Sequence, residues 1–441
     1  MNCNFALSRL CVVVAVVGLA GCAETANIEP GVYMAQPKAL DLGSVAFQGG
    51  KTVDFTVGIG SGAYHAKDDP ANVFYTVTDR GPNIKCNATQ SVAGIADKSL
   101  CGGDKAGKVF PIPSFVPTIY KIALNLDHTY AVLETVTLKG TVGQPITGLS
   151  NPIKVAKTEK AFGADGLQIA FDPSGLDVEA MVKQSDGTFW VTDEYGPSLS
   201  HVAADGRILE RLVPNNLDHD LKDAGYPVKG TLPGILKWRK LNRGIESLAI
   251  SPNEKFLYFA MQSPLANPNV KAYKSSNAVR LFKIDIASGE IVGEYLYPLD
   301  AATSFAKDNV TKARKQSDVK LSEMAALGSD RLLVLERVSK TTKFYTVDLK
   351  SGKNFFDTKW DAEITAPSLE QLGIKGMMEK GVVALTKSLV LDTDSRDNMP
   401  AKIEGIGIVD ANTLMLINDN DFGISGDKTV VVVTHLNKPM Y

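Results

Sequence analysis

Residues 177–194 read DVEAMVKQSDGTFWVTDE, and this stretch decides how the rest of the chain is read. Glu179 opens one short apolar run, and a second apolar run ends on Asp193 and Glu194. The pattern returns from Glu246 (ESLAI, then LYFAMQ to Gln262), from Glu323 (EMAAL, then LLVLER to Glu336 and Arg337) and from Glu404 (EGIGI, then LMLINDND, which runs from Asn418 to Asp421 at its end). A fainter copy has Ser61 in place of the Glu and ends on Asp79 and Arg80 in FYTVTDRGPN. Two adjacent antiparallel strands bring the start of the first and the end of the second to one edge. Each copy therefore delivers its polar pair to one spot.

The repeated Glu residues are 67, 77 and 81 positions apart, a period that suits propeller blades with long loops better than α-solenoids. After three of the inner pairs come two further strand candidates around a hairpin turn, in 198–214, 278–299 and 342–361. The expected fold class is all-β, a β-propeller of four-stranded antiparallel blades. Five repeats are recognisable and five to seven blades are possible, since the 118 residues from Ser61 to Glu179 leave room for a sixth. The last unit supplies three strands, and LDLGSVAF (40–47) is expected to join KTVVVVTHL (428–436), so that N- and C-terminal strands close the ring without an open edge. One helix is expected, in PSLEQLGIKGMMEKGVVAL (367–385), between the last two units.

Arg9, the apolar run Leu10 to Leu19 and Leu19-Ala20-Gly21-Cys22 read as a bacterial lipoprotein signal over 1–21. The expected organisation is then a linker over 22–36 after a lipidated Cys22, and one domain over 37–441. Ala23 after that Cys implies the periplasm-facing outer membrane of a Gram-negative cell. The net charge of −2 carries no polybasic signature, so nucleic acid is not an expected partner and the membrane is met only through Cys22. A monomer is expected. Export makes a Cys86–Cys101 bond the default, a clamp on a long insertion worth roughly 3 kcal/mol in the chain-entropy model.

Arranged around an axis, the repeats place Glu179, Glu246, Glu323 and Glu404 at one mouth, with Asp79, Asp193, Glu194, Glu336, Asp419 and Asp421 beside them. So much negative charge in a concave site needs raised carboxyl pKa values, arginine partners such as Arg80, Arg243 and Arg337, or a divalent cation. Oxygen-only ligands favour Ca²⁺ or Mg²⁺ over zinc, and none of the five His has metal-ligand spacing. Gly-x-Ser-x-Gly, His-Glu-x-x-His and P-loop signatures are absent from the sequence.

At TDRGPN (78–83), DVEAM with FWVTDEYGPSL (177–199), NRGIESLAISP (242–252), SEMAAL with LVLER (322–337) and KIEGIG with LINDNDFG (402–423), the chain resembles the esterase-like phytase family. The resemblance implies esterase-like or phytase-like hydrolysis on a propeller similar to the calcium-dependent phytases. It implies a site at Asp79, Arg80, Glu179, Asp193, Glu194, Glu246, Glu323, Glu336, Arg337, Glu404, Asn418 and Asp421. Ser61 departs from the Glu pattern. The expected protein is an exported, lipid-anchored hydrolase of ester or phosphoester bonds in a small-molecule substrate. Ca²⁺ would be held by Glu179, Glu246, Glu323, Glu404, Asp79, Glu336, Asn418 and Asp421. Asp193 or Glu194 would act as base, and Arg80 and Arg337 would stabilise the developing anion. The alternative is a non-catalytic envelope binding propeller with a structural cation.

Overall fold

A computed structural model describes residues 28–36, 38–153 and 158–441. The expected signal and Cys22 lie outside the described residues. Among the described residues no helix is long and apolar enough to cross a membrane.

The chain is mostly β. Strands Val178–Lys183, Phe189–Asp193, Ser198–Val202 and Ile208–Pro214 form one meander, with Val228–Leu232 added in parallel at its edge. Four-stranded antiparallel sheets follow over Ile245–Pro298 and over Lys320–Asp392. An eight-stranded sheet has two halves. One runs Gly62–Tyr64, Val73–Val77, Thr118–Leu124 and Thr129–Thr137, the other Ile403–Ile408, Thr413–Asn418, Val430–His435 and Gly31–Ala35. The halves meet where Met34 and Ala35 pair in parallel with Thr129 and Tyr130.

The first strand of each unit packs on the first strand of the next, and Ile403–Ile408 returns onto Gly62–Tyr64, so five first strands close a ring. These strands read as near-continuous apolar runs because both their faces are covered by neighbouring sheets. Leu332 and Val334 enter one core with Leu248 and Tyr258, whereas Leu333 and Leu335 enter the next with Ile406 and Leu414. Successive side chains of one strand thus serve two interfaces, as the two-residue period requires.

Closure uses other residues than expected. The strand that pairs with the C-terminal one is Gly31–Ala35, with Gly31 opposite Val433 and Met34 opposite Val430. It lies inside the stretch read as a linker. LDLGSVAF instead forms a separate hairpin, Asp41–Ala46 with Thr52–Thr56. Short strands at 84–85, 108–109, 161–162 and 168–169 form a small sheet in the long insertion, and Cys86 is bonded to Cys101 there. The helix Leu369–Glu379 forms, but it sits between the third and fourth strands of the Lys320–Asp392 sheet rather than between units. Residues 353–361 consequently supply no strand, and Lys387–Asp392 completes that sheet.

In four inner pairs the ladder slips at the repeated acid: between Val178 and Met181, Ile245 and Ser247, Leu321 and Glu323, and Ile403 and Gly405. A bulge leaves a residue unpaired and re-aims its side chain. The residue freed is Glu246 in one sheet and Glu404 in another, but in the Lys320–Asp392 sheet it is Ser322. Glu323 is one position out of phase with the others, and a one-residue shift changes the face. Its fully buried carboxylate accepts hydrogen bonds from the Met324 N–H at 2.8 Å and the Leu248 N–H at 3.3 Å, and meets the Ala63 N–H as well. It ties three first strands together.

Burial holds the Glu323 carboxyl well above its usual range despite these donors. The folded state therefore favours the neutral form, and ionisation of the unfolded chain draws stability away as pH rises past about 4.3. Glu323→Gln lacks this titration. Its Tm relative to the parent should climb between about pH 4 and about pH 8, measured by scanning calorimetry; a constant difference would contradict a neutral Glu323.

Candidate functional site

A cavity of about 550 Å³ opens at the mouth where the first strands begin. Asp79, Glu179, Glu194, Glu246, Glu404, Asp419 and Asp421 line it, together with Arg80, which the repeats had also brought forward. Asp177, two residues before Glu179, joins them. Two sets of ligand oxygens converge to within 4.8 Å of one another: Asp79, Asp177 and Glu179, and Glu179, Glu194 and Glu246. Glu179 belongs to both.

Strand parity separates the acids that reach the mouth from those that do not. Near the end of each second strand adjacent residues alternate, one facing a sheet interface and the next facing the axis. Asp193 is spent on Arg211 Nη2 at 2.7 Å and the Gly196 N–H at 2.8 Å, while Glu194 enters the cavity. Glu336 accepts from Tyr297 Oη at 3.0 Å, the Asp300 N–H at 2.6 Å and Lys387 Nζ at 2.6 Å, away from the cavity. Asn418 accepts from the Val430 N–H at 2.6 Å and donates to the Lys428 carbonyl at 3.2 Å, while its neighbour Asp419 lines the cavity. Asp193, Glu336, Asn418 and Glu323, all expected at the mouth, therefore stand outside the cavity.

The mouth is tied by a belt of hydrogen bonds. Glu404 is ion-paired with Arg337. Arg337 Nε donates to Ser322 Oγ at 2.9 Å, and Ser322 Oγ donates to Glu246 Oε1 at 3.2 Å. Gln262 Nε2 donates to both Glu246 and Glu194 at 2.6 Å, and its amide oxygen accepts from Arg243. The amide in this belt neutralises nothing; it holds two carboxylates at a fixed separation.

Burial is the largest influence on these acids and mutual repulsion adds to it. Glu179 is pushed well above the usual carboxylate range by burial and by Glu246, and Asp79 likewise by burial and by Asp419. Glu194 is pushed up to about 7 by burial and Glu246, and Asp419 to about 7 by burial and Asp421. Asp421 moves the other way, lowered through Asp419 and Lys402 in spite of burial.

Arg80 points inward. Its guanidinium donates to Glu159 at 2.7 Å, the Gly148 carbonyl at 2.9 Å and Ser150 Oγ at 3.2 Å, lies 3.3 Å from Asp177, and sits over the rings of Phe110 and Tyr195. Asp177, Glu159, Ser322 and Lys320 were not singled out from the sequence. Asp177 stood inside a quoted motif, and a second acid two residues before the repeated Glu was the available signal. His201 stacks on Trp190 with ring centroids 4.5 Å apart and does not line the cavity.

These features define a mostly-β ring of sheets with an acidic, oxygen-rich cavity at one axial mouth. The chain belongs to the phytase-like family, described by the esterase-like activity of phytase, which it matches over residues 56–422. An uncharacterized secreted protein of Arthroderma benhamiae is 26% identical over 275 residues, 52% of this chain and 53% of that protein, so the chain spans about half the length of this relative. Among solved structures, the Dos1 propeller superposes with a TM-score of 0.30 at 7% identity, covering 85% of this chain and 68% of that one. A luciferin-regenerating enzyme superposes at 0.33 and 11%, covering 94% and 98%. Superpositions this loose say nothing of the chemistry here.

Arg80→Met should destabilise the fold by roughly 3–5 kcal/mol, because it leaves Glu159 and Asp177 buried without their cation. Denaturant unfolding checks this; an unchanged midpoint with lost activity would make Arg80 a substrate-facing group instead.

Proposed function

We propose that the ring is a propeller of five blades and that the protein is a metal-dependent hydrolase of ester or phosphoester bonds, working at the acidic mouth. The observation that carries this reading is the pair of carboxylate triads joined through Glu179. Their donor set is all oxygen and their charges are of one sign, which suits a hard divalent cation, calcium foremost. Asp177 Oδ2 in the first triad is buried, has no hydrogen bond and is met only by the Arg80 guanidinium at 3.3 Å. Asp79, Asp177 and Glu179 would hold one ion and Glu179, Glu194 and Glu246 a second. Such an ion, when bound, polarises an ester oxygen and lowers the pKa of nearby water.

The rest falls to the chain's own residues. Gln262 and Ser322 keep Glu246 from collapsing onto its neighbours. Glu194, which lines the cavity, would be the general base of this reading through a carboxylate oxygen left free of the ion, in preference to Asp193, which Arg211 retains. Export, supported by the sequence pattern and the secreted relative, and lipidation at Cys22 with an outer-membrane address, supported by the sequence pattern alone, complete the proposal.

Chelator-stripped protein refilled with Ca²⁺ should regain turnover of p-nitrophenyl phosphate or p-nitrophenyl acetate. In calorimetry, Glu179→Gln should weaken Ca²⁺ binding at least about tenfold, or about 1.4 kcal/mol. Turnover that survives both chelation and Glu179→Gln contradicts the mechanism. Loss of thermal stability on chelation, with no turnover of either compound after refilling, would leave a cation that only braces the blades.

A further inference from the structure

The cations first expected to face a substrate are engaged elsewhere. Arg80 is bound to Glu159, Gly148 and Ser150, and Arg337 to Ser322, the Val338 carbonyl and Glu404. Lys402 is bound to Asp421, and Lys108 lies 3.4 Å from Asn242 Oδ1 and 3.8 Å from Glu159. Lys320 differs from these four, and from the exposed rim lysines Lys85 and Lys105 in being the more enclosed. It lines the same cavity as Glu194 and Glu246, is partly exposed, and its side chain makes no ion pair or hydrogen bond among the described residues.

Its place in the fold explains this. Lys320 begins the first strand of its sheet, opposite Arg337 in the ladder and two residues before the bulge at Ser322. The charged groups around it come from three sheets: Arg337 and Arg243 as like charges, Glu246 and Glu194 as opposite ones. The belt already ties Arg337 and Glu404 to Ser322, and Glu246 and Glu194 to Gln262. Burial, then Arg337 and Arg243, press the Lys320 ammonium down to about 7. Glu246 and Glu194 offset this only in part, so a further anion beside the ammonium would stabilise its charged form. Its unbranched stem leaves the ammonium free to swing into the cavity, as the planar forks of the anchored arginines are not.

We propose that Lys320 is the group that meets an oxyanion of the substrate, a phosphoryl or a carboxylate group, in the cavity it lines with Glu194 and Glu246. This rests on the hydrolase reading for its catalytic meaning but not for the binding itself. Lys320 then sets specificity for anionic over neutral esters.

Binding of inorganic phosphate and of acetate to the full chain, followed by calorimetry, tests it. The parent should bind at least one of the two, and whichever binds identifies the oxyanion. Lys320→Met should lose at least tenfold in that affinity, and Lys320→Arg should keep most of it. With turnover, Lys320→Met should raise KM for p-nitrophenyl phosphate at least tenfold and leave KM for the neutral p-nitrophenyl acetate unchanged. Tm of each variant reports whether it folds, and a Lys320→Met that does not fold transfers the test to Lys320→Arg, whose phosphate affinity should differ from the parent by less than tenfold. A parent that binds neither anion, or a folded Lys320→Met that binds both as the parent does, overturns the proposal. Neither outcome bears on metal dependence, which chelation tests separately.

Discussion

Carboxylates of one sign, held within 4.8 Å of each other in a largely buried wall, repel strongly, and the architecture around the mouth is arranged to withstand that repulsion. At an effective dielectric constant of about 20, two unit charges at that distance repel by about 3.5 kcal/mol. Three such groups in each set must either take up protons or be met by arginines or a cation. Arginine serves one of them directly, Asp177 through Arg80, while Arg337 serves Glu404 beside them. Glu179 has neither of these, and it belongs to both sets.

The scaffold meets the load by fixing backbone. Bulges at the start of the first strands aim Glu246, Ser322 and Glu404 at the axis, and the ladders below them are locked by apolar side chains packed on both faces. Glu323 closes the axis beneath by bridging strands that would otherwise meet only through side chains. The insertion clamped by Cys86–Cys101 brings Lys85, Lys105 and Lys108 to the rim, so the acidic wall faces a basic one.

Much of this was legible in the sequence because the repeated Glu and the polar ends of the second strands are set by strand pairing, which sequence spacing records. Three of the four repeated Glu residues line the cavity. Glu323 does not, because a bulge adds one residue and Ser322 takes the equivalent place; spacing counted from the apolar run cannot see that shift. Asp193 and Glu194 were equal candidates by position, and only the pleat decides which of two adjacent residues faces the axis. The closing strand was missed for a different reason. GVYMA is short and follows a stretch read as tether, whereas LDLGSVAF carries the stronger alternation and yet pairs locally with Thr52–Thr56. Asp177 was marked only by its place two residues before the repeated Glu, and nothing local marks Lys320.

The central claim is that the carboxylates gathered around Glu179 hold a divalent cation. Long-wavelength diffraction from crystals grown with calcium locates such an ion through its anomalous signal. The account predicts a peak bonded to Glu179 and to oxygens of Asp79 and Asp177 or of Glu194 and Glu246. A map with no peak at that mouth under saturating calcium, or with calcium only at sites elsewhere, would contradict it.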